Sequence, residues 1–131
     1  MKPEDALAAY AQQYGLSGLA YENGACRLLL DDDLAIDLEI QTADGSVLMQ
    51  CALGGGDVRN PDLLADLLGA NLFYGTASPH ITALDRYSGE VMLLRLLPAD
   101  QTPELLTEAI NAFALEVEAW RERFDARGDE A

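Results

Sequence analysis

The chain has 131 residues, a mass of 14.1 kDa and a formal net charge of −15, and half of its residues are hydrophobic. So much charge of one sign argues against binding nucleic acid or an anionic membrane surface, and the hydrophobic half excludes a disordered acidic tail. The size suits a single domain, 1–131, with a real core and no room for a second.

Residues 3–14 read as a first helix. Pro3 suits the first helical position, Glu4 and Asp5 suit the positive end of the dipole, and Gly15 suits the position after the end. Leu7, Tyr10 and Tyr14 share a face, widened by Ala6 and Ala11. Two strands follow, Cys26–Leu30 and Leu34–Gln41, around the acidic turn 31–33. In the second, Leu34, Ile36, Leu38 and Ile40 alternate with Ala35, Asp37, Glu39 and Gln41, the pattern of a strand with one dry face and one wet face. A turn at 43–46 leads to a third strand, Val47–Leu53.

Asn60, Pro61 and Asp62 then open a short central helix, PDLLADLLGANLF. Its leucines do not form one stripe. Leu63 and Leu67 lie along one line, and Leu64, Leu68 and Leu72 lie along the next, with Phe73 following. A surface helix needs one apolar stripe, so a second one calls for a second cover, and another copy of the chain is the expected one. Two strands, His80–Arg86 and Glu90–Leu97, flank the turn 87–89. Thr102 caps a final helix along which Leu106, Ile110, Phe113, Val117, Trp120 and Phe124 repeat at spacings of four and three. Arg121, Arg123 and Arg127 complement its dipole. The reading is α+β: a twisted antiparallel sheet of about five strands with three helices, in the order α-β-β-β-α-β-β-α.

The start MKPEDALAAY lacks the apolar core of a signal peptide, and no apolar run approaches the roughly 18 residues of a membrane span. Cys26 and Cys51 lack CxxC spacing and a neighbouring histidine, so both are expected as buried, reduced thiols in a soluble cytoplasmic protein. Chemistry-bearing patterns are thin. Asp31, Asp32 and Asp33 are consecutive and match no spaced calcium loop; the glycines 54–56 are followed by Asp57 instead of a lysine. The one histidine, His80, has no motif around it and is expected at the surface or hydrogen-bonded. No catalytic residue, metal site or cofactor is assigned, and the chain does not read as an enzyme. The surplus of aliphatic side chains points instead to shallow grooves or an open strand edge that takes another polypeptide.

The run LLGANLFYGTASPHITALDRYSGEVMLLRLLP, with a long last helix ending in EAWRERF, resembles the type III secretion chaperones of the Tir-chaperone (CesT) class. The resemblance implies a small acidic bacterial homodimer in the cytoplasm. It would hold the N-terminal segment of one secreted effector as a non-globular, export-competent chain, with a secretion ATPase as a further partner supplying the work. It places the two-fold interface on the central helix and the strand around Ile81, for which Leu64, Leu67, Leu68, Asn71, Leu72, Phe73 and Ile81 are the candidates. The first helix and the sheet would receive the effector, through Leu7, Tyr10, Tyr14, Leu28, Leu30, Leu34, Ile36 and Leu38. Two rivals stand beside it. An enzyme or small-ligand binder requires a pocket with convergent polar groups, and an immunity-type protein requires a folded basic partner held by charge.

Overall fold

A computed structural model of the protein describes residues 1–31, 33–54 and 60–129, the last five of these by backbone alone. Helix α1 (Pro3–Gln13) precedes β1 (Ala25–Leu30), β2 (Leu34–Ile40) and β3 (Val47–Gly54). Helix α2 (Pro61–Ala70) with a 3-10 turn (Asn71–Phe73) precedes β4 (Ile81–Leu84), β5 (Val91–Leu97) and α3 (Pro103–Asp129). The strands form one open antiparallel sheet in the order β1-β2-β3-β5-β4, so β1 and β4 are its edges. The fold class and the order of elements are those expected.

The chain groups into two compact units, Met1–Gln50 with Leu96–Ala112 and Cys51–Arg95 with Phe113–Ala131. In the first, α1 buries Pro3, Ala6, Leu7, Tyr10 and Ala11, the spacing of one helical face. It ends as Gly15 and Leu16 return their N–H groups to the carbonyls of Gln12 and Ala11; Gly15 takes the left-handed φ of +66° that such an ending needs. Leu34, Ile36 and Leu38 of β2 and Val47 and Met49 of β3 are buried with Leu106, Ala109 and Ile110 of α3. On the wet face Arg27 pairs with Asp37, its register partner on β2.

The second unit buries Cys51, Leu53, Leu63, Leu67, Val91 and Leu93 together with Phe113, Val117 and Trp120 of α3. Trp120 donates its indole N–H to Glu116, and Arg123 stacks 4.5 Å from the centre of its ring. Arg121 donates to the carbonyl of Ala52. Caps match their residues: Asn60 accepts from the N–H groups of Asp62 and Leu63, and Thr102 accepts from that of Leu105.

Four expectations change. The central α-helix stops at Ala70, and the next three residues tighten into a 3-10 turn as the Asn71 amide reaches across to β4. Strand β4 ends at Leu84 because the Asp85 carboxylate accepts from Tyr87 and Ser88, turning the chain early; those bonds hold Asp85 below the usual carboxylate range. Cys26 is only half-buried, and burial pushes its thiol up to about 11. His80 is neither at the surface nor satisfied: it is 8 % exposed, and its Nε2 has no partner among the described residues. Asp32, the glycines 55 and 56 and the Arg127 side chain lie outside the described residues.

Candidate functional site

Helix α2 shows how its two leucine lines divide. Leu63 and Leu67 turn into the unit's own core, Leu67 being 7 % exposed, while Leu64 is half-buried. The outer line is bare: Leu68 is 74 % exposed, Leu72 76 % and Phe73 56 %, and Tyr74 and Leu84 are exposed as well. Fully covering an aliphatic or phenyl side chain contributes about 1.5–3 kcal/mol, so this line alone offers several kcal/mol to whatever lies on it. The expectation for Leu64, Leu68, Leu72 and Phe73 thus meets an accessible face, with Ile81 half-buried on β4. Leu67 does not reach that face, because the same helix cannot offer it to the core and to a partner.

Asn71 has a different task. Its amide nitrogen donates to the Thr82 carbonyl at 2.9 Å, and its amide oxygen accepts from the Thr82 N–H at 2.9 Å. Thr82 also donates its hydroxyl to the Leu67 carbonyl at 2.6 Å. An asparagine side-chain amide points its C=O and one of its two N–H bonds the same way, as one strand residue does with its own outward C=O and N–H, so Asn71 acts as a single rung of an added strand. The outward edge of β4 is thereby closed at its centre, and the end of α2 is tied to it.

Among the described residues, edge β1 has no such rung at its centre. Ile40 donates to the Gly24 carbonyl, so pairing with β2 uses every second residue, and Ala25, Arg27 and Leu29 turn their backbone groups outward. Ala25 exchanges both of its bonds with Glu22. Arg27 and Leu29 lie beyond that bridge, and the Leu29 side chain is exposed.

The residues expected to hold a second polypeptide are mostly inside. Leu7, Tyr10, Leu28, Leu34, Ile36 and Leu38 are core residues of the first unit, and Leu30 is half-buried. Tyr14 is exposed, its ring tilted against Tyr10 with centroids 4.8 Å apart. Leu16 and Leu29 are exposed and were not among those candidates; for Leu29 the available signal was strand alternation, which sends Leu28 and Leu29 to opposite faces. Among the described residues no three His, Cys, Asp or Glu side chains are grouped to hold a metal ion, and no helix is long and apolar enough to cross a membrane.

The model of the Tir chaperone protein (CesT) family matches residues 5–121. No curated relative matches the chain by sequence. Solved structures share its fold. A chain of the ExsC–ExsE complex aligns with a TM-score of 0.81 at 20 % identity, over 95 % of this chain and 97 % of that one. A chain of the HopA1–SchA chaperone–effector complex aligns with 0.77 at 18 %, over 90 % and 91 %. The Yersinia pestis type III secretion chaperone SycH, solved with a stable fragment of YscM2, aligns with 0.72 at 18 %, over 89 % and 98 %.

Proposed function

The chain belongs to the Tir chaperone protein (CesT) family, and we propose that it works as a homodimeric, non-enzymatic cytoplasmic chaperone for a type III secreted effector. One observation carries the reading: a line of leucine and phenylalanine, running from α2 into the 3-10 turn that follows it, that its own protomer leaves exposed. A second copy related by a two-fold axis covers such a line with itself. The effector's N-terminal segment lies along the first unit, pairing its backbone with Arg27 and Leu29 at the β1 edge and resting side chains on Leu29, Tyr14 and Leu16. Apolar residues of the segment are then buried in the chaperone and not in a core of their own, which keeps the segment extended and shielded from aggregation. The net charge of −15 keeps the loaded complex soluble and favours a basic or neutral segment.

Light scattering on the purified protein is expected to give twice 14.1 kDa, and Leu68→Asp is expected to give the monomer mass. Because Leu68 is exposed in the protomer, that substitution should change protomer stability by no more than about 0.5 kcal/mol. A wild-type monomer at micromolar concentration would refute the dimer. Co-expression with the N-terminal segment of the product of a neighbouring gene should give a soluble, protease-protected complex that persists in high salt. Capture of only a folded basic domain, lost as salt rises, would favour the charge-driven immunity-type reading that the net charge also suits.

A further inference from the structure

The chain has a single histidine, and it sits where the second unit is tied together. His80 immediately precedes β4, two residues before the threonine that Asn71 and Leu67 hold. Its own N–H donates to the Ser78 hydroxyl at 3.2 Å, which fixes the start of the strand. The ring is buried edge-on against Phe113 of α3, with centroids 5.7 Å apart and planes at 64°. Its Nε2 is shut away from solvent with no partner among the described residues. A neutral imidazole tolerates that position, whereas an imidazolium needs a partner or water for the added N–H.

We propose that His80 is an acid-sensitive latch: a proton on the ring drives it out from beside Phe113, and the strand that begins there releases the C-terminal end of α2. The latch is a property of the protomer. Its consequence for the apolar face of α2, which stays ordered only while Thr82 and Asn71 are joined, rests on the dimer reading above.

The charged groups acting on the ring are Arg95 of β5, which opposes a proton, and Glu116 of α3, which favours one. Burial outweighs both, and the ring is held below the ordinary imidazole value of 6.5. The unfolded chain therefore takes up the proton first. The stabilising contribution of the neutral ring is whole above about pH 6.5 and is lost as pH falls from there towards the lower folded value. The rest of the molecule leans the other way, because mild acid relieves the self-repulsion of a chain with net charge −15. A loss of order in this window thus points to the one imidazole.

A single histidine gives a single imidazole Hε1 resonance, so the titration can be followed by proton NMR without distinguishing it from another histidine. It is expected to have its midpoint below 6.5. Across the same range the Thr82 amide, corrected for intrinsic exchange, should open up to about tenfold faster per pH unit while the Leu38 amide in the first unit stays protected. His80→Phe keeps the ring contact and removes the charge, and His80→Gln serves should the phenyl ring not pack; either should leave Thr82 exchange flat between about pH 7.5 and 5. A midpoint at or above 6.5, or Thr82 protection that does not change through the midpoint, overturns the latch. Light scattering over the same range separates the two claims. Acid dissociation of the wild-type dimer, absent in His80→Phe, supports the link to α2. A Thr82 response with unchanged dimer mass overturns that link alone, and a monomer at every pH overturns the dimer while Thr82 still reads the latch.

Discussion

At one edge of the sheet Thr82 of β4 gives both of its outward backbone groups to Asn71; at the other, Arg27 and Leu29 of β1 turn theirs outward beyond the Glu22–Ala25 bridge. Exposed strand edges are templates for pairing with any other chain, and proteins ordinarily blunt them. Here the blunted edge adjoins the apolar line of α2, within one unit. Closing β4 removes the choice between sheet-to-sheet and helix-to-helix association at that end, so in the proposed dimer the leucine face alone would set how two copies meet. The β1 edge, free of that competition, suits an extended guest. On the proposed function, the contrast would separate a surface for a folded twin from a surface for an unfolded segment.

Proline tests the β1 edge most severely. Leu28 directs its N–H towards β2 and its side chain into the core, so Leu28→Pro should cost about 5 kcal/mol or more, close to the whole stability of a small domain. Leu29 directs its N–H outward, and Leu29→Pro should keep a native circular dichroism spectrum and a urea midpoint within about 1 kcal/mol of wild type. It should nevertheless weaken binding of the partner segment at least tenfold. Equal damage from both substitutions would show that the outward register is wrong; an intact Leu29→Pro with undiminished binding would show that the guest lies elsewhere.

Asn71→Ala tests the other edge. Removing the side-chain rung leaves the Thr82 N–H and carbonyl without their partner, a loss of about 1–3 kcal/mol by urea denaturation. The reopened β4 edge should also give concentration-dependent species larger than the dimer in sedimentation velocity. Asn71→Asp keeps the acceptor and loses the donor, and should fall between the two. An alanine variant with wild-type stability and a clean dimer would remove the reason for contrasting the edges.

Much of the fold was readable because its signals are local. Asn60 and Thr102 announce helix starts within three residues, Gly15 ends α1, and the alternation from Leu34 to Ile40 belongs to one strand. The site was only half readable. The two leucine lines of α2 are evident from spacing, but both are leucine, and only the packing of Leu63 and Leu67 shows which line faces inward. For the same reason Leu28, Ile36 and Leu38 looked available to a partner: alternation marks an apolar face without saying whether the chain's own core already buries it. Asn71 stood among the interface candidates, and its match to the Thr82 backbone was not legible because that backbone lies eleven residues on. His80 was misplaced because the phenyl ring that walls it in comes from α3, far along the chain.

The smallest expected effect concerns Arg27, the cation nearest the open backbone of β1. It forms a two-point pair with Asp37, at 2.8 and 3.3 Å, on the wet face of the sheet, and an exposed pair of this kind adds little to stability because water and salt screen it. Arg27→Ala should leave the urea midpoint unchanged. Its effect should appear in binding: with one cation fewer, the acidic edge should hold a basic partner segment up to about threefold more tightly at low ionic strength, and no more tightly near 0.5 M salt, where the screening length falls to about 4 Å. Leu29→Pro should weaken the same segment at both salt concentrations, because it removes a backbone hydrogen bond and not a charge. If Arg27→Ala instead weakened binding at every ionic strength, the guanidinium would be a contact of the guest, and the edge would recognise a carboxylate or a carbonyl where a basic chain is expected here.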